Sequence, residues 1–259
     1  MMSRGSMKDV IDVMQLRQTK GREFPPVKYE DRVNHFSGAR FIFECGLKLN
    51  AQPLTIATAA VLFHRFFREA DMNSYDTYLF GATALYLAGK SKDDGLKLRD
   101  VMNVSHSTLN RNSPPLELNN DYWNLRDSIV QAELLLMRML RFEVTPDHPH
   151  KYMFHYLKSL QGWFESDQWR RIPLAKAAFA FLQDFHLDAA VLDYSPQHIA
   201  LACIGLALQC YGVTVPLTDE CDGPFWYSVF ADDLNKDKMW EIMEKIMGVY
   251  DKESEVPTA

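Results

Sequence analysis

The feature that most constrains this chain is helical periodicity without any accompanying strand pattern. Long segments carry apolar residues at three- and four-residue spacing, which marks one face of a helix. They begin near positions 31, 53, 74, 98 and 120, and again near 148, 173, 195, 225 and 236. The fifth is predicted to run from about Asn120 to Phe142, and the ninth is a short one around Phe225–Phe230. Alternating β-branched runs between tight turns are missing. The sequence therefore predicts an all-α fold.

The predicted helices form two similar sets of five. The segment Ala57–Phe63 (ATAAVLF) is echoed 118 residues later by Ala175–Phe181 (AKAAFAF). In the third helix, Leu79, Ala82 and Ala84 have counterparts 120 residues later in the eighth, at Ile199, Ala202 and Ile204. Small residues let helix backbones approach closely, so the second and third helices of each set are predicted to pack together. That alanine-rich helices simply look alike remains an alternative. We predict domains at 29–145 and 146–251, between an N-terminal arm, 1–28, and a C-terminal tail, 252–259.

Composition argues against two classes of partner. The net charge is −6, whereas nucleic-acid-binding domains usually present a basic face. The longest clean apolar run, Ile199–Leu208, has about half of the roughly 20 residues that a membrane span needs. Four cysteines without a CxxC pair are typical of a reducing compartment. The sequence therefore predicts an intracellular protein that binds neither nucleic acid nor membrane.

Motifs for catalysis are missing from the sequence. It has no phosphate-binding GxGxxG or GxxxxGK[ST] loop, no GxSxG and no HExxH. The nearest candidate metal site is the group His148, His150 and His155, whose first two members flank Pro149 and cannot share a helical face. We favour histidines that cap and pack a helix start, with a zinc enzyme as the alternative. The chain is predicted to be no enzyme and to hold no metal or cofactor.

Two stretches are more specific than composition. Leu79–Lys90 (LFGATALYLAGK) is a small-residue helix that ends in a lysine, and Glu133–Phe142 (ELLLMRMLRF) places a glutamate in an apolar context. Together they resemble the cyclin box, in which the third helix ends in a lysine and the fifth carries a glutamate. The resemblance extends over about 31 to 250 and implies two tandem five-helix cyclin-box domains.

Membership in the cyclin family would imply a regulatory subunit that activates a cyclin-dependent serine/threonine kinase, in a heterodimer, by positioning the kinase αC helix. It implies that Lys90 and Glu133 pair at the kinase-binding surface, where Tyr86 and Leu136 supply either core or interface. A nuclear and cytoplasmic location and a role in transcription or growth control are further expectations. The alternative is a cyclin-fold transcription-complex adaptor of the TFIIB type, although such proteins usually carry a zinc ribbon.

Other stretches resemble particular groups within the cyclin family. Phe142–Tyr152 (FEVTPDHPHKY) and His64 are similar to transcription-type cyclins. The segments Arg99–Ser105, Trp123–Gln131 and Ala207–Val213 look closest to the cyclin Q subgroup, also called cyclin M, which implies cyclin-dependent kinase ten as the partner.

The sequence also departs from cell-cycle cyclins at two places. Asn34–Gly38 stands where those cyclins carry a substrate-docking patch, so docking of RxL-bearing substrates is not expected. Lys92 stands where many cyclins have an acid, which we expect to influence which kinase is accepted.

Overall fold

A computed structural model describes residues 29, 34–111, 113–215 and 225–254 of the chain. These residues form helices, turns and loops without a β-strand, as predicted. The predicted arm 1–28 and most of the predicted tail lie outside the described residues. The chain forms two compact units, one that runs through Pro146 and includes His186–Ala189, and one that comprises Asp147–Phe185 and Ala190–Ser254. No helix in the described part is both long enough and apolar enough to cross a bilayer.

The described part of the first unit contains five α-helices, and capping side chains set the starts of the first, third and fifth. The Asp76 carboxylate accepts hydrogen bonds from the amides of Tyr78 and Leu79 at 2.9 and 3.0 Å, and Asn34 accepts one from the amide of Ser37 at 2.8 Å. Such bonds satisfy amide groups that have no partner within the helix. The helices are α1 (His35–Lys48), α2 (Pro53–Glu69), α3 (Thr77–Ser91), α4 (Leu98–Leu109) and α5 (Asn120–Met139).

One predicted helix boundary in this unit is wrong. Helix α5 ends at Met139, three residues before the predicted Phe142, because the backbone turns left-handed at Arg141 and Phe142. Neither of these residues is a glycine or an asparagine, which are the usual sequence signals for such a turn.

The described part of the second unit is also helical, and one of its α-helices, the short α7, was not predicted from the sequence. The predicted helix around Phe225–Phe230 is a 3₁₀ turn, Trp226–Val229. The α-helices are α6 (Pro149–Gln161), α7 (Ser166–Arg171), α8 (Leu174–Phe185), α9 (Pro196–Cys210) and α10 (Lys236–Ser254).

The sequence predicts one packed helix pair in each unit, and the structure contains both pairs. Helices α2 and α3 share the largest helix–helix contact of the first unit, and α8 and α9 share that of the second, which confirms the predicted pairs. Where α1 crosses α2, a Cβ atom at Gly46 would lie only 2.6 Å from Cγ1 of Ile56, so only glycine permits this approach.

The sequence predicts Cys203 and Cys210 as core thiols, and the structure separates them. Cys203 is buried on α9, whereas Cys210, the last residue of the same helix, is exposed. The prediction for Cys210 is wrong because its seven-residue spacing from Cys203 carries it beyond the packed part of the stripe.

His64 is fully buried on α2 and joins three parts of the first unit. Its Nε2 lies 3.0 Å from the carbonyl oxygen of His186, and its Nδ1 lies 3.3 Å from Nδ1 of His35 on α1. A carbonyl oxygen can only accept, so His64 donates from Nε2 and its Nδ1 accepts from His35. Burial lowers the pKa of His64 to about 3 and also lowers the pKa of His35. The structure therefore requires a neutral His64.

We expect the stability of the first unit to fall as the solution is acidified. The pKa of His64 is about 3 in the folded chain and 6.5 when unperturbed. Between these values the unfolded chain binds a proton that the folded chain does not. The contribution of neutral His64 to the free energy of unfolding is fully present only well above pH 6.5. Roughly 2 kcal/mol of this contribution is lost between about pH 7 and pH 5. Urea unfolding at the two pH values measures this loss. The same pH dependence in a His64→Gln variant would contradict the assignment of this loss of stability to His64.

Candidate functional site

Lys90 and Glu133 form an ion pair at the surface of the first unit. Lys90 lies in the last turn of α3, where its charge is favoured by the helix dipole, and Glu133 lies on α5, which packs against α3. The Lys90 Nζ contacts Oε1 of Glu133, and the two side chains are 46% and 10% exposed. The glutamate is thus embedded in the protein, and the lysine ammonium is the part of the pair that faces solvent.

Tyr86 supports this lysine from one helical turn earlier on α3. The Lys90 Nζ lies 4.5 Å from the centre of the Tyr86 ring, a distance that allows a cation–π interaction. The partly buried Tyr86 also packs against the buried cluster Met102, Tyr122 and Ile129. Tyr86 therefore connects the exposed ammonium to the core and limits the positions that the ammonium can take.

Leu136, a candidate residue of the predicted kinase-binding surface, lies in the core instead. Its side chain is completely buried, although it lies on the same helix as Glu133. A partner protein cannot reach this side chain while the unit is folded. Of the two roles that the sequence left open, Leu136 has the one in the core.

Exposed apolar side chains lie beside the ion pair on α5. Leu134 follows Glu133 directly and is 50% exposed, Val130 is 40% exposed, and Trp123 is 50% exposed. Spacings of seven and four residues place these three on one helical stripe. Sequence reasoning did not select them, although their spacing beside the predicted core positions carried the signal. Exposed apolar groups in a cluster mark interaction surfaces.

The turn after α5 presents one further exposed aromatic ring. Phe142 is 66% exposed, and its amide donates to the carbonyl oxygen of Met137 at 2.8 Å. Two residues later, the carbonyl oxygen of Val144 accepts a 3.1 Å hydrogen bond from Oγ of Ser91, the residue that follows Lys90. The turn is therefore attached to the end of α3 that carries the ion pair.

The histidine group that the sequence raised as a metal site is not assembled. His148 and His150 are buried, with ring centres 5.8 Å apart, whereas His155 is exposed on α6. His148 precedes the first residue of α6, but its side chain makes no capping hydrogen bond. The prediction that this histidine caps the helix is therefore also wrong.

The N-terminal cyclin domain is the family whose model matches residues 16–145, half of the chain. This chain belongs to the cyclin family. Among the cyclins to which it is similar, pch1 of Schizosaccharomyces pombe is 32% identical over 200 residues, which cover 76% of this chain and 56% of pch1. Cyclin-K of Homo sapiens is 27% identical over 214 residues, which cover 82% of this chain and 36% of cyclin-K. This cyclin therefore spans about half or less of these relatives' length.

Solved structures show the same fold. The crystal structure of the yeast RNA Pol II CTD kinase CTDK-1 complex contains a chain similar to this cyclin, with a TM-score of 0.63 and 18% identity, over 83% of this cyclin and 64% of that chain. The yeast TFIIK (Kin28/Ccl1/Tfb3) complex contains another similar chain, with a TM-score of 0.54 and 17% identity, over 83% of this cyclin and 84% of that chain. The predicted all-α fold of tandem cyclin boxes is confirmed. Membership of the cyclin family agrees with the prediction that the chain is not itself an enzyme.

Proposed function

We propose that this cyclin is the activating regulatory subunit of a cyclin-dependent serine/threonine kinase. The observation that carries the proposal is the Lys90–Glu133 pair, formed at the surface between α3 and α5 in a chain of the cyclin family. The exposed apolar side chains Val130, Leu134 and Phe142 extend the same surface. A charged pair beside apolar groups is suited to a protein partner, because interface cores are apolar and their hydrogen bonds fix the orientation.

The proposed role is to hold the kinase αC helix in its inward position. Protein kinases are active when a lysine on a strand and a glutamate on αC form an ion pair. A rigid surface that binds the inward αC more tightly shifts the population towards the active kinase. A change from 1:99 to 99:1 needs roughly 5.5 kcal/mol of differential binding.

The ion pair supplies hydrogen-bonding groups suited to this task. An ammonium has three donors, and Glu133 occupies one of those of Lys90. The remaining donors match the carbonyl groups that have no intrahelical partner at the C-terminal end of a helix such as αC. Tyr86 and Glu133 hold the ammonium in place before the partner arrives, which reduces the entropy lost on binding.

We infer further that the chain is a member of the cyclin Q subgroup and that its partner is cyclin-dependent kinase ten. Support comes from Arg99–Ser105, Trp123–Gln131 and Ala207–Val213, which resemble that subgroup. Fold similarity to a chain of an RNA Pol II CTD kinase complex agrees with a role in transcription, and we expect a nuclear and cytoplasmic location. Lys92, half-buried at the C-cap of α3 beside the ion pair, is placed to influence the choice of kinase.

Affinity capture against a panel of purified cyclin-dependent kinases tests this function. The full chain is immobilised and presented with kinase ten and with kinases that bind other cyclins. We expect retention of kinase ten in preference to the others. Retention of a different member would correct the partner while supporting the kinase role. Failure to retain any member of the panel would overturn the proposed function.

A further inference from the structure

The turn that carries Phe142 is attached to two helices by the side chains of Arg65 and Ser91. Arg65 on α2 donates from Nη1 to the carbonyl oxygen of Glu143 at 3.1 Å and from Nη2 to its Oε2 at 2.8 Å. Ser91 at the end of α3 donates to the carbonyl oxygen of Val144 at 3.1 Å. Both residues that follow Phe142 are therefore held by hydrogen bonds from other helices.

This turn has a strained backbone. Arg141 and Phe142 have φ angles of 51° and 62°, in the left-handed region that residues with a Cβ atom seldom adopt. Such conformations persist where the surrounding structure imposes them. Burial of the ring is not the cause here, because Phe142 is two-thirds exposed. The amides of Arg141 and Phe142 close the turn by donating to the carbonyl oxygens of Arg138 and Met137 at 3.0 and 2.8 Å. Arg65 and Ser91 attach the closed turn to α2 and α3, so the aromatic ring is held in solvent.

We propose that Arg65 and Ser91 are positioning residues that hold Phe142 as a preorganised aromatic anchor for the kinase. This inference rests on the proposed function and adds residues outside the Lys90–Glu133 surface to it. Aromatic anchors dominate many interfaces, and a ring that is already fixed loses little conformational entropy on binding. The kinase surface that receives the ring is expected to be an apolar pocket, because nothing on a phenyl ring satisfies a buried polar group.

A first test needs no kinase. Glycine adopts positive φ without strain, so Phe142→Gly relieves the turn and removes a ring that contributes little burial. The thermal unfolding midpoint of Phe142→Gly is expected to equal or exceed that of the unaltered chain. A clearly lower midpoint would show that the ring stabilises the fold, and would overturn its role as an anchor held for a partner.

The second test is a double-mutant cycle on kinase affinity, measured with the kinase that the panel retains. Phe142→Gly is expected to weaken binding about tenfold or more. Arg65→Met keeps the aliphatic stem and removes both hydrogen bonds, and we expect a smaller loss. In the Phe142→Gly background Arg65→Met is expected to cause no further loss, because the residue that it positions is gone. Arg170→Met, at an exposed arginine of α7, is the matched control.

The outcomes separate this inference from the proposed function. If Lys90→Glu abolishes binding while Phe142→Gly and Arg65→Met leave it unchanged, the kinase role stands and the anchor is overturned. Losses that simply add in the double variant would also overturn it, since Arg65 would then act independently of the ring. If no kinase in the panel binds the unaltered chain, the proposed function and the anchor fall together.

Discussion

Replacement of Lys90 by glutamate is expected to abolish kinase activation and leave the chain folded. A carboxylate at position 90 would face Glu133, so the surface would lose its ammonium and present two negative groups. Removal of one member of a charged interface pair typically weakens binding by 2–5 kcal/mol, which predicts a loss of at least about 30-fold in affinity. The variant is expected to lose some stability, because the nearly buried Glu133 loses its cation, and to remain folded below an unfolding midpoint that is measured on the same preparation.

The measurement combines kinase activation with thermal unfolding of the same preparation. Lys158→Glu makes the same charge change at an exposed position on α6 and is the control for net charge. We expect the control to activate normally. Normal activation by a folded Lys90→Glu variant would refute the assignment of the ion pair to the kinase surface.

Leu136→Ala and Leu134→Ala are expected to have opposite consequences, although the two leucines lie two residues apart on α5. Leu136 is completely buried, and such a truncation typically costs about 2–5 kcal/mol, or roughly 5–15 °C in the unfolding midpoint. Leu134 is half exposed beside Glu133, so its truncation removes little buried area. We expect Leu134→Ala to fold with nearly unchanged stability and to bind the kinase more weakly.

This comparison separates core from interface with the same chemical change at both positions. Thermal unfolding measures the first effect, and kinase affinity at a temperature where both variants are folded measures the second. A large loss of stability in Leu134→Ala, or an unchanged midpoint in Leu136→Ala, would contradict the packing. Unchanged affinity in Leu134→Ala would remove that residue from the proposed surface.

The parts of the fold that were predictable from sequence are those with a local cause. Asp76 and Ser195 cap α3 and α9 as their residue types suggest, and helical periodicity located the five helices that the structure describes in the first unit. The Lys90–Glu133 pair was also predictable, although only through resemblance to a family, since nothing local brings α3 and α5 together.

The parts that were not predictable depend on distant contacts. Periodicity continues through Phe142, but the backbone turns left-handed at Arg141 in a segment without glycine. The turn is attached to α2 and α3 by Arg65 and Ser91, which are far away in the sequence. The side of α5 on which Leu136 lies is likewise decided by the position of α3 and α4. Helical spacing alone therefore does not assign a residue to core or surface. The assignment also needs the positions of the helices that pack against it.

The most direct test of the central claim is a titration of purified, inactive cyclin-dependent kinase ten with the unaltered chain, with phosphate transfer to a protein substrate as the readout. Activity is expected to rise from the basal level and to saturate at one chain per kinase, and Lys90→Glu is expected to leave it basal. Saturable binding without any rise in activity would contradict the claim that this cyclin activates its kinase by fixing the αC helix.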